Sequence, residues 1–118
     1  MTDVPAENPG QPVEFTVLTG LDEVVDSGTD RPKIDVVAKL AGANVVHLSL
    51  RAGQVIDDHR STMEILVIGQ HGLIEFSVAG ERVQLSPGTA VRVAADVTHK
   101  LVAVEDSAAT LLVLKGAS

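Results

Sequence analysis

The chain has no cysteine, no tryptophan and no tyrosine, and phenylalanine occurs only as Phe15 and Phe76. Without cysteine there is no disulfide, no zinc–thiolate site and no thiol nucleophile. Without tyrosine or tryptophan there is little to stack on a sugar ring or a nucleobase. Positive charge is also scarce: 9 Lys and Arg stand against 16 Asp and Glu, a formal charge of −7. An acidic surface repels phosphate backbones and anionic lipid, so neither nucleic acid nor a membrane surface is expected as a partner. No apolar run approaches the roughly 18 residues that cross a bilayer. Met1 to Pro12 has neither a basic start nor an apolar stretch, so it does not read as a signal peptide, and a cytoplasmic protein is expected.

What is present is a β-forming composition. The 118 residues make one ordinary domain, and the 45% apolar fraction is mostly Val, Leu, Ile and Ala. Residues 1–12 carry three prolines among polar residues and read as a flexible tail, leaving 13–118 as the domain. Gly42, Gly53, Gly72, Gly80 and Pro87-Gly88 then divide short β-branched runs, the spacing of an all-β sandwich or barrel. One helical turn is expected, over Leu21 to Ser27.

Alternation marks the half-buried strands. Ile74, Phe76 and Val78 share a face, as do Val97, His99, Leu101 and Ala103, and as do Ile34, Val36, Ala38 and Leu40. Residues 64–70 and 109–114 are instead apolar on both faces and need cover on both. A second subunit, giving a homodimer, or the N-terminal segment folding back would supply it.

Two blocks carry a family pattern. The first runs from Gly53 to His59 and closes at Gly72; the second runs from Gly88 to His99. Their spacing resembles the two conserved motifs of the cupin family. That resemblance covers roughly residues 43–115 and implies an all-β, double-stranded β-helix, an antiparallel sandwich or barrel. It also implies a pocket where cupins hold a metal on three His and one Glu. In that register His59 and His99 are retained, Ser61 stands where the second His belongs, and Ile65 stands where the acid belongs. Asp96 occupies a glycine position of the second motif, and Glu64 lies one residue before the acid position.

The candidate pocket is therefore His59, His99, Ser61 and Glu64, with the two histidines near its mouth. Taken singly, His59 also reads as a loop or strand-end residue at a polar rim, and His99 as a core histidine bonded to a backbone carbonyl. Two imidazoles and a carboxylate can form an open facial triad, suited to Fe, Mn, Ni or Zn. Glu64 turns away from the pocket in a regular strand and toward it if residues 61–63 form a loop or bulge. Asp57 and Asp58 read as solvated acids, His47 as an outer-face residue and His71 as an exposed turn residue. Three functions fit: a module binding a small organic ligand in the barrel, a metal-dependent enzyme of oxygenase or isomerase type using His59 and His99, and a structural dimer with a vestigial pocket.

Overall fold

The computed structural model describes residues 14–116. The tail read over residues 1–12 lies outside them. Nine strands follow in order: β1 (Lys33–Lys39), β2 (Ala43–Leu50), β3 (Val55–His59), β4 (Ile65–His71), β5 (Ile74–Val78), β6 (Glu81–Leu85), β7 (Ala90–Val93), β8 (His99–Ala103) and β9 (Ser107–Leu114). A five-stranded sheet has the order β1-β2-β9-β4-β7 and a four-stranded sheet the order β3-β8-β5-β6. All pairings are antiparallel. No helix among the described residues is long and apolar enough to cross a membrane.

The core lies between the sheets. Leu48, Leu50, Ile65, Val67, Ile74, Phe76, Leu85 and Leu101 are all buried there. Each is an alternate residue of its strand, so the pleat alone delivers it to the inner face. Burying one such side chain contributes about 1.5–3 kcal/mol.

The connections explain the glycines and one exception. Gly72, at φ 75°, takes the chain from one sheet to the other, and a Cβ there would clash with the Asp106 carbonyl and Ser107 Oγ. At Gly69 a Cβ would meet the Ser86 carbonyl, which lets the 86–89 loop close that side of the barrel. Ala79 and Gly80 join β5 to β6 as a two-residue turn with φ of 50° and 80°. That is the twist-matched hairpin turn, which ordinarily takes Asn or Gly first. Asp96, at the glycine position of the second motif, has φ 66°. The site still demands a left-handed residue, and Asp is among the few non-glycine types that tolerate it.

Two local expectations are corrected. Leu21 to Ser27 forms no helix; a single turn closes with Glu23 N–H donating to Gly20 O, and residues 23–27 have no regular structure. There Val25 N–H donates to Ser49 Oγ, so the N-terminal segment itself covers part of the outer face of the five-stranded sheet. In β1 the alternation fails after Val36. Val36 pairs with Val46 and Ala38 pairs with Val45, so a bulge at Val37 sends Ala38 to the face opposite Ile34 and Val36.

Candidate functional site

β3 and β8 build the site. Ile56 pairs with Leu101, yet His59 pairs with His99, so β3 spends three residues where β8 spends two. Without that extra residue Asp58 would face His99 and His59 would point outward. The bulge lets Ile56, Asp57 and His59 all line one cavity, while Asp58 borders a separate surface hollow with Thr98 and the 77–80 turn. The two imidazoles then meet edge to face, with ring centroids 4.3 Å apart and planes at 63°.

Their environments differ sharply. His99 is 2% exposed and stacks at 5.8 Å and 10° on Phe76, itself fully buried. It stands within the core, as the core-histidine reading has it, and not at a pocket mouth. Its Nδ1 lies 3.0 Å from the Val97 carbonyl oxygen. A carbonyl only accepts, so Nδ1 donates, and in the neutral ring Nε2 holds the lone pair. His59 ends an edge strand and is exposed along one side. Partial desolvation, and after it repulsion from His99, pushes its pKa below the ordinary 6.5.

The cavity holds about 270 Å³. Leu48, Ile56, Ile65, Val67, Leu101 and Leu111 form its walls. It opens between the free edges of the two sheets, where Ile34 of β1 faces Asp57 and His59 of β3. Ile34 is 55% exposed there, an apolar side chain at a rim.

The other candidates go elsewhere. Ile65, not Glu64, reaches the cavity: residues 62 and 63 do form a bend, the condition for an inward Glu64, but β4 begins at Ile65 and the neighbouring residue takes the opposite face. Glu64 instead accepts from Arg92 Nε on the outer side of the sheet. Ser61 turns its Oγ back to accept from Met63 N–H, and its carbonyl accepts from Asp96 N–H. Asp57 is solvent-exposed yet lines the cavity rim. No three His, Asp or Glu side chains come together as a metal-binding group among the described residues. The four-ligand cupin metal site therefore does not fit this chain: two imidazoles are present, and the register positions of the other two donors carry Ser61 and Ile65.

His47 lies on the outer face, as its alternation with Val46 and Leu48 indicates, but it is buried. His71 is exposed at the end of β4. What sequence reasoning missed is the wall: nothing marked Ile34, Leu48 or Leu111 as pocket residues beyond their core-facing alternation.

Comparison with known proteins agrees with this geometry. A search of curated proteins finds no match. Among solved structures, a conserved Streptococcus pyogenes protein of unknown function is 25% identical, with a TM-score of 0.73 over 90% of this chain and 93% of that one. An RmlC-like cupin of Desulfovibrio desulfuricans is 19% identical, with a TM-score of 0.75 over 85% and 97%. A Klebsiella pneumoniae protein with a double-stranded β-helix domain is 20% identical, with a TM-score of 0.74 over 87% and 93%. The cupin domain profile matches residues 46–115, more than half of the sequence. With nine antiparallel strands in two facing sheets and both motif histidines on one cavity, the chain belongs to the cupin domain family.

Proposed function

We propose that this cupin is a binding module that takes up a small organic molecule in its barrel, with His59 and His99 as the polar end of the site. The observation that carries this reading is the cavity of about 270 Å³ with branched aliphatic walls and two imidazoles. Apolar walls supply affinity by surface burial, and a few placed polar groups set orientation. Ile65 at the acid's register position weighs against a resident metal, and with it against the oxygenase or isomerase reading. Two imidazoles alone leave a divalent ion mostly to water.

The test is a thermal-shift screen of small lipophiles against the wild type and Val67→Phe. Val67 is 1% exposed and lines the cavity, so the larger ring occupies ligand space. Hits are expected with the wild type and lost in the variant. Hits of equal size in both place binding outside the barrel and contradict the proposal.

We also propose a homodimer. Leu66, Ile68, Leu112 and Leu114 lie on the outer face of the five-stranded sheet and are only half-buried. The covering segment is tied to the Ser49 end of that sheet. A second copy of the chain gives this face its remaining cover. Light scattering at micromolar concentration should give twice the chain mass, and a monomer there rules the dimer out.

A further inference from the structure

The pocket's chemistry narrows what it takes, and this step rests on the binding-module reading above. Its polar lining is His59, His99 and Asp57, and no Lys or Arg belongs to the lining among the described residues. A buried carboxylate or phosphate needs a cationic partner or several donors to replace its water. Here it would meet aliphatic walls and, at the rim, the Asp57 carboxylate. Anionic ligands are disfavoured twice, by missing counter-charge and by like charge.

The second constraint comes from hydrogen bonding. His99 has committed Nδ1 to the Val97 carbonyl, at 3.0 Å. The atom left to a ligand is Nε2, an acceptor in the neutral ring. A ligand that fills the cavity and only accepts covers that lone pair without giving it a partner, which a donor supplies. The third constraint is size. A dry apolar cavity of about 150 Å³ admits benzene. On that scale the cavity of about 270 Å³ has room for roughly ten to twelve heavy atoms.

We infer that the ligand is an uncharged lipophile of one or two rings, or an equally compact branched skeleton, carrying a hydroxyl or N–H that donates to His99 Nε2. Phenols and compact alcohols are the class these groups select. The walls discriminate by shape, the histidine by the donor, and Asp57 against negative charge.

The experiment uses three probes on one scaffold: 2-naphthol, its methyl ether 2-methoxynaphthalene, and 2-naphthoate. A matching single-ring set is 4-ethylphenol, 4-ethylanisole and 4-ethylbenzoate. At about pH 7.5 the phenols are neutral and the carboxylates charged. The chain has no Tyr or Trp, so naphthalene emission is read against little protein background. Equilibrium dialysis gives the affinities of both sets.

On each scaffold that binds, the phenol is expected at least about tenfold tighter than the ether and the carboxylate. In His99→Leu the advantage of phenol over ether should shrink to less than about threefold. Equal binding of phenol and ether by the wild type overturns the donor assignment, and preference for the carboxylate overturns the charge assignment. Either result leaves the binding-module reading standing if Val67→Phe still abolishes uptake. Failure of both sets to bind folded protein overturns this inference and the reading beneath it.

Discussion

His59 and His99 are cross-strand partners, and they face each other only because β3 carries one residue more than β8 between Ile56 and His59. Their ring centroids sit 4.3 Å apart, so a charge on His99 is felt at His59. Burial first, and His99 second, lower the pKa of His59 below 6.5. The unfolded chain then takes up this proton at higher pH than the folded one. Stability is full above about pH 6.5 and falls as pH drops from there through the folded pKa. His59 is exposed along one side, so the loss is small. An NMR titration should place its midpoint below 6.5, and His99→Gln should raise it. An unmoved midpoint in that variant excludes the coupling.

The same contact makes the two histidines unequal in stability. His99 is buried against Phe76, and removing its ring leaves a hole in the core. His99→Ala should cost about 2–4 kcal/mol by denaturant unfolding, in the range of large core truncations. His59→Ala, at an exposed strand end, should cost less than about 1 kcal/mol. Equal costs would mean that both rings are core, or that neither is.

Ile65 and Glu64 form a matched pair for testing the donor set. Glu64→Gln should leave divalent-ion affinity unchanged and cost less than about 1 kcal/mol, since its ion pair with Arg92 is exposed. Ile65→Glu places a carboxylate toward the two imidazoles. It should destabilise the protein by several kcal/mol and tighten zinc binding at least about tenfold by calorimetry. Zinc should then restore part of the lost stability. Loss of zinc affinity in Glu64→Gln would put the acid in the pocket after all.

Much of the fold was legible because it rests on period-two alternation and glycine spacing. Ile74-Phe76-Val78 and His99-Leu101-Ala103 lie where their pattern put them. The bulges were not legible. Nothing in the run Ile56-Asp57-Asp58-His59 announces an extra residue, yet it decides which way His59 points. Val37 hid the same device in β1. Turn chemistry misled over 21–27, where a segment apolar enough for a helical turn lies instead as an irregular cover bonded to Ser49. The depth of His99 was legible as one of two readings, from the face it shares with Leu101; its stacking on Phe76 was not.

The hairpin between β5 and β6 offers a gain in stability. Ala79 holds φ 50°, a conformation that costs an L-residue with a plain Cβ roughly 1–2 kcal/mol. Asn tolerates it better and is the preferred first residue of this turn. Ala79→Asn should therefore stabilise the protein by about 0.5–1 kcal/mol in urea unfolding. A destabilised variant would show that the turn is not of this type.

The central claim is that the barrel interior, not its surface, takes up a small lipophile. The most direct measurement is a methyl-labelled NMR titration with 2-naphthol. Methyl groups of Leu48, Ile56, Ile65, Val67, Leu101 and Leu111 line the cavity. They should shift together along one saturable curve, while Leu66 and Leu112 on the outer face stay still. Shifts confined to those outer-face leucines, or none at all, would contradict the account.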